Sequence, residues 1–266
     1  MPVTCNLPTA NTAKLIALKK ALALPFSILY YGCFGLALFL FHGIQVISLR
    51  IFGYQAHKTS VDVLNWVLLR CLNLLGTRIH LHNLPKLNPS QPYIIVANHQ
   101  STYDIPPLIW YLRQCHPKFI SKIELGSGIP SISYNLKNGG SVLINRKEKT
   151  KALDAIKKFA QNVRKNNWSV VIFAEGTRSR DGQPKAFQKG GLLTLFEQIP
   201  EAKILPVSIG NSWKLSQYNY FPMPLAVSLD IMFHPITAIN TQNPEATVTE
   251  LESVIHEGVH QLQTSA

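Results

Sequence analysis

The apolar positions of this chain follow two different patterns. Over residues 21–49, "ALALPFSILYYGCFGLALFLFHGIQVISL", no Asp, Glu, Lys or Arg interrupts the run. A helix of that length measures about 44 Å, more than the roughly 30 Å hydrocarbon core of a bilayer. The run is too long for a secretory signal, and no small-residue cleavage site follows it. Lys14, Lys19 and Lys20 precede it and Arg50 and Lys58 follow, so flanking charge leaves the orientation open. A second segment, 61–75 "VDVLNWVLLRCLNLL", sets Val63, Trp66, Val67, Arg70 and Leu74 at helical spacing and also carries Asp62. It predicts an amphipathic helix lying at a membrane surface or packed on the first. The two together predict a membrane-anchoring helix pair within residues 1–77.

From Arg78 onward the pattern alternates. "RIHLHN" has period two, and "YIIVAN", "FIS", "SVLIN", "SVVIF", "ILPVSI" and "AVSLDIMF" are short apolar runs of the kind buried strands make. Between "SVLIN" and "SVVIF", residues 150–166 place Leu153, Ile156, Ala160 and Val163 on one helical stripe, with Lys151, Lys157, Lys158, Arg164 and Lys165 on the other face. "GLLTLFEQI" and residues 247–262 also read as helices. Strands alternating with helices predict an α/β fold over residues 78–266, with a largely parallel sheet flanked by helices.

Charge then narrows the partners. Of the 266 residues, 26 are Lys or Arg and 14 are Asp or Glu, a formal charge of +12. That suits an anionic partner, and the 46% hydrophobic content favours a membrane over nucleic acid. No helix-turn-helix, zinc or RNA-recognition signature supports nucleic-acid binding. Cys5, Cys33, Cys71 and Cys115 form no C-x-x-C pair, which argues against a disulfide framework or a zinc site and fits a reducing compartment. The histidines outside the motif below share no metal-ligand pattern.

Candidate chemistry begins at "ANHQSTYDIPPL", residues 97–108. His99 and Asp104 are five apart, a spacing that shares a face on neither a helix nor a strand. A strand-to-helix turn between them supplies the required bend, with Ser101 or Thr102 able to cap a helix starting near Asp104. Such a turn lies at the carboxyl end of a strand, where open α/β sheets place ligands. A histidine held by a carboxylate can take a proton from a hydroxyl. No G-x-S-x-G elbow supplies a nucleophilic serine, so the hydroxyl is read as the substrate's. Arg146 and Lys147 follow "SVLIN", and Arg178 and Arg180 follow "SVVIF", in loops that suit an anionic substrate.

In four ordered blocks, "NHQSTYD" at 98–104, "GSVLINR" at 140–146, "FAEGTRS" at 173–179 and "LPVSI" at 205–209, the chain resembles the glycerophospholipid acyltransferases, a family that includes 1-acylglycerol-3-phosphate acyltransferase. The resemblance covers roughly residues 78–236. It implies that His99 deprotonates the free hydroxyl of a lysophospholipid while Asp104 orients the imidazole. The resulting oxygen would attack an acyl thioester carried by coenzyme A or acyl carrier protein, with no bound cofactor or metal. Arg146, Arg178 and Lys122 (in "FISKIEL") would hold the glycerol phosphate; Glu175, Gly176 and Thr177 would shape the loop; Pro206 would belong to a strand end lining the acyl site. Ala174 stands where the family commonly has proline, a departure that removes no chemical group. Arg146 has a second reading as the ion-pair partner of Glu148 or Glu175, and Glu175 as the residue that holds Arg178. The implied activity is acylation of the sn-2 hydroxyl of 1-acylglycerol-3-phosphate to phosphatidate, on the cytoplasmic face of a bacterial inner membrane. Other lysolipids, lyso-aminolipids or glycerol-3-phosphate are alternative acceptors, and a membrane-anchored scaffold is the non-enzyme reading.

Overall fold

The computed structural model describes residues 10–264. Cys5 lies outside them, and Cys33, Cys71 and Cys115 are free thiols. The expected helix pair is one helical run, α1 (Ala10–Asn73), broken at Gly53, whose φ of 80° and ψ of −173° are not helical. Glycine reaches that positive φ without the steric cost a Cβ would bring. The second arm therefore begins directly after Gly53 rather than near Val61, because the polar stretch from Gln55 to Ser60 is helical too. The first arm has an inner face of Ala23, Ser27, Tyr30, Ala37 and Leu38, all buried. Its remaining surface leaves Phe26, Leu29, Leu36, Phe39, Ile47 and Ile51 exposed. Over residues 21–49 it thus carries no charge on any side, with one stripe packed on protein and the rest bare.

Eight strands form one sheet in the order β1-β7-β6-β2-β5-β3-β4, with β8 (Thr237–Ala238) beside β6. The strands β2 (Tyr93–Ala97), β3 (Pro117–Lys122), β4 (Val142–Ile144), β5 (Ser169–Phe173) and β6 (Lys203–Gly210) are mutually parallel. β7 (Ser228–Phe233) runs antiparallel to β6 and carries β1 (Arg78–His82) parallel to itself at the sheet edge. β2 and β5 are buried at every position. Helices cover both faces, which is why these two strands read as continuous apolar runs rather than alternating ones.

On one face, Ile156, Phe159, Ala160 and Val163 of α4 (Lys149–Lys165) pack with Leu192 and Leu195 of α5 (Lys189–Gln198) and Val248, Leu251 and Ile255 of α6 (Pro244–Thr264). On the other, Tyr30 and Leu69 of α1 join Leu108 of α2 (Ile105–Tyr111) against Ile95, Val171 and Leu205. A short α3 (Ile132–Asn138) covers the segment before β4. It contacts the first arm: Ser131 Oγ donates to the Leu38 carbonyl at 3.0 Å.

Candidate active site

The carboxyl ends of β2, β5 and β6 build the site. β2 stops at Ala97, one residue short of the sequence expectation, because Asn98 turns its side chain onto β6. Its Oδ1 accepts from the Ile209 amide at 2.7 Å and its Nδ2 donates to the Ile209 carbonyl at 2.9 Å. This two-point clamp fixes where the loop leaves the sheet. Ser101 then caps a 3-10 turn at Thr102–Asp104, reciprocated by the Asp104 side chain, and α2 starts at Ile105. The strand-to-turn bend brings the histidine and aspartate together: His99 Nδ1 lies 2.8 Å from Asp104 Oδ2.

Asp104 is fully buried. Its Oδ2 also accepts from the amides of Gln100 at 2.7 Å and Ser101 at 3.0 Å, and its Oδ1 accepts from Ser212 Oγ at 2.5 Å. Four residues, His99, Gln100, Ser101 and Ser212, donate to this carboxylate and hold its plane. An ionised Asp104 only accepts, so His99 Nδ1 carries the proton and Nε2 keeps its lone pair. The imidazole stacks on Phe173 with ring centres 4.0 Å apart and planes 14° apart. Its side chain stays 13% exposed.

Beside the pair, a cavity of about 640 Å³ opens between β4, β5, α4 and α5. Ile120, Ile156 and Ile172 form its apolar depth; Phe173, Arg146 and Lys149 also line it. His99 is not in the lining but stands directly behind Phe173, which is. Glu175, Gly176 and Thr177 close one wall. Gly176 has φ +71°, and a Cβ there would come within 3.1 Å of Gln188, so the turn requires glycine. Glu175 is 3% exposed and neither carboxylate oxygen has a well-aligned partner. Burial pushes its pKa from 4.5 up to about 7, against weak support from the Lys185 and His99 amides.

The structure brings His99, Asp104, Arg146, Glu175, Gly176 and Thr177 to one end of the sheet. Arg146 Nη1 donates to the Gly176 carbonyl. Neither expected ion pair for Arg146 forms: Glu148 pairs with Lys151 at 2.5 Å, and Glu175 makes no ion pair among the described residues. Glu175 does not hold Arg178 either; Arg178 Nη1 donates to the Tyr220 hydroxyl at 2.6 Å. Lys122 stands exposed at the end of β3, paired through the backbone with Ile144, and does not line the cavity. Pro206 lines a smaller, separate cavity with His234. Sequence reasoning missed Ser212, Tyr220 and the stacking partner Phe173. Only Ser212 carried a signal, an "NS" pair just beyond a buried strand that ends at the same side of the sheet.

These features define an α/β protein with a histidine–carboxylate pair beside a deep apolar cavity rimmed by basic groups. The chain matches the model of the Acyltransferase family over residues 78–210, half its length, and belongs to that family. It is 31% identical over 151 residues to human 1-acyl-sn-glycerol-3-phosphate acyltransferase alpha, covering 56% of this chain and 51% of the relative. It is 35% identical over 133 residues to the 1-acyl-sn-glycerol-3-phosphate acyltransferase of Helicobacter pylori, covering 49% and 52%. The chain spans about half the length of these curated relatives. Its fold matches the crystal structure of the 1-acyl-sn-glycerophosphate acyltransferase of Thermotoga maritima with a TM-score of 0.75, at 22% identity, over 92% of this chain and 98% of that one.

Proposed function

We propose that this protein transfers an acyl group from a thioester of coenzyme A or acyl carrier protein to the sn-2 hydroxyl of 1-acylglycerol-3-phosphate, forming phosphatidate. The observation that carries the reading is the His99–Asp104 contact at 2.8 Å beside a cavity with apolar depth and a basic rim. His99 Nε2 removes the hydroxyl proton as the oxygen attacks the thioester carbonyl. Asp104 stabilises the imidazolium, and the proton passes to the departing thiolate as the tetrahedral intermediate collapses. Arg146 and Arg178 neutralise the phosphate, Lys122 adds positive charge from the end of β3, and Glu175, Gly176 and Thr177 shape the wall that the headgroup meets. The activity for which the human and Helicobacter pylori relatives are named supports this acceptor.

The division of labour is an anchor over residues 1–77 and an acyltransferase unit over 78–266. The anchor lies in one leaflet, on the cytoplasmic face of a bacterial inner membrane. Support comes from the first arm's bonds to the body along its length: Ser27 Oγ accepts from the Met223 amide at 2.8 Å, and Tyr31 OH donates to the Tyr220 carbonyl at 2.5 Å. Further along, His42 Nδ1 accepts from the Ser131 amide at 3.2 Å. A helix fastened lengthwise to a water-soluble unit is held at the interface rather than across the core, with its bare apolar face in lipid.

Incubating the purified protein with lysophosphatidate and an acyl thioester, with product read by mass spectrometry, tests the reaction. Phosphatidate is expected, and no acylated product with either carrier overturns the proposal. Arg178→Ala is expected to raise the KM for lysophosphatidate with a smaller change in kcat; an unchanged KM removes the phosphate contact.

A further inference from the structure

A second large cavity, about 510 Å³, lies where the beginning of α1 meets the segment between β6 and β7. It shares no lining residue with the cavity beside His99. Lys19 and Lys214 line it, and Lys20 sits at its margin with Nζ 4.5 Å from the centre of the Tyr218 ring. None of the three lysines is in an ion pair; every such pair among the described residues lies elsewhere. Leu22, Pro224, Leu225 and Val227 supply an apolar floor. Leu22 continues along α1 into Leu18 and Leu15, which are 57% and 51% exposed. Lysines without counter-ions beside an apolar floor, opening onto a bare apolar helix face, suit an anion that carries hydrocarbon tails. A small soluble anion would have no use for the floor.

The groove also bears on the site. Its lining residues Lys214, Gln217 and Tyr218 sit on the short stretch between Ser212 and Tyr220. Ser212 donates to Asp104, and Tyr220 accepts from Arg178 through its hydroxyl and from Tyr31 through its carbonyl. A ligand seated against Lys214 and Tyr218 touches the segment that supports both functional groups.

We propose that this groove binds an anionic phospholipid of the host bilayer, apart from the acceptor cavity, and that the bound headgroup steadies the 212–220 segment that buttresses Asp104 and Arg178. The second half rests on the reading given under Proposed function; the first does not. Each lysine near an anionic headgroup contributes affinity of about fivefold, by the roughly 1 kcal/mol such a contact is worth.

Two measurements on the full chain test it. In native mass spectrometry from detergent, the protein is expected to retain phosphatidylglycerol in preference to phosphatidylcholine. Lys19→Gln with Lys214→Gln should weaken that retention by about fivefold per lysine, while Lys157→Gln with Lys158→Gln, which removes equal charge from α4, should not. Equal retention of the two lipids, or equal losses in the two double variants, overturns the site. In vesicles, at matched membrane-bound protein, turnover is expected to be higher with phosphatidylglycerol than with phosphatidylcholine alone. That ratio should fall to about one in the Lys19/Lys214 variant. A ratio of one in the native chain overturns the coupling. Unchanged lipid retention with a loss confined to acyl carrier protein as donor overturns the proposal in favour of a protein-docking surface. Lipid retention is read without turnover, so a failed acceptor assignment and a failed lipid site give different results.

Discussion

Two adjacent residues beyond β6 each support a carboxylate that faces histidine, and the two resulting clusters differ in how deeply the acid is buried and how firmly the imidazole is held. Ser212 Oγ donates to Asp104 Oδ1 at 2.5 Å, and Asn211 Nδ2 donates to Asp230 Oδ2 at 3.0 Å. Asp104 is bound to one imidazole and to two backbone amides, and its side chain has no exposure. Asp230 shares its Oδ1 between His80 Nδ1 at 3.3 Å and His82 Nε2 at 3.2 Å, rings that are 51% and 42% exposed at the sheet edge. His80 Nδ1 is also 3.0 Å from Ser228 Oγ. A single well-directed bond fixes the tautomer of His99 and leaves one nitrogen free beside a cavity. Two long, shared, solvated bonds fix neither tautomer, and both rings face solvent at the sheet edge. Contact between histidine and aspartate, and a side-chain donor to the acid, are common to both clusters; full burial of the acid with two backbone amides on it belongs to one.

The strongest way to break this comparison is to remove each imidazole. His99→Ala is expected to lower turnover by about 10⁴-fold, the upper range for a lost general base, with a normal thermal transition. If His82→Ala costs as much, the contrast is wrong. Asp104→Asn comes next. The amide must point its NH₂ at one of the donors that now meet the carboxylate, so about 10³-fold in turnover and about 1.5–3 kcal/mol in stability are expected to go together. Chemical denaturation read alongside activity checks that pairing, since loss of activity with full stability would mean the four donors do not depend on the charge.

Ser212→Ala sharpens the contrast, because its neighbour serves the other carboxylate. Losing one charged hydrogen bond to Asp104 is expected to cost about tenfold in turnover, whereas Asn211→Ala, acting on Asp230, should leave turnover within about twofold. The pair of variants separates a positioning effect on the reacting histidine from a general disturbance of the turn.

How much of this could be read from residue order depends on which partners were local. The strands β2 and β5 were legible because both of their faces are covered, so burial shows as an uninterrupted apolar run. Residues 150–166 were legible because one face meets the sheet and the other meets water. The arm after Gly53 was misplaced because Gln55, His57 and Lys58 mimic a polar flank, although the helix continues through them and buries His57. His99 and Asp104 were found through their spacing. Ser212 lies 108 residues from Asp104, and Tyr220 lies 42 from Arg178, distances over which no local pattern reports a contact. The burial of Glu175 is likewise a tertiary fact, since an acidic residue in a glycine loop ordinarily reads as exposed.

That buried acid makes a further test of what separates the site from its neighbour. Its folded pKa of about 7 exceeds the ordinary 4.5 because burial disfavours the charge. Between those values the folded chain holds a proton that the unfolded chain has lost, so stability falls as pH rises through this window. Glu175→Gln is expected to flatten the decline and to raise the melting temperature above pH 7. An unaltered pH profile would mean the carboxylate is already ionised and solvated.

The smallest effect is expected at the sheet edge, where the sign of the pH dependence is opposite. Burial would raise the pKa of Asp230, but Asn211, His82, Ser228 and His80 together bring it below its ordinary 3.8. The resulting stabilisation is present above that value and fades as pH falls through the lowered one. His80→Ala with His82→Ala removes two of the groups responsible and is expected to lower stability slightly near neutrality and to flatten its decline in acid, with turnover near neutrality unchanged. Both rings are more than a third exposed, so solvent screens the contribution and the shift in an acid melt should be small. A large loss of turnover in this variant would mean that the strain passes from Asp230 through Asn211 and Ser212 into Asp104. The two clusters would then be one coupled network rather than a working pair and an unrelated edge contact.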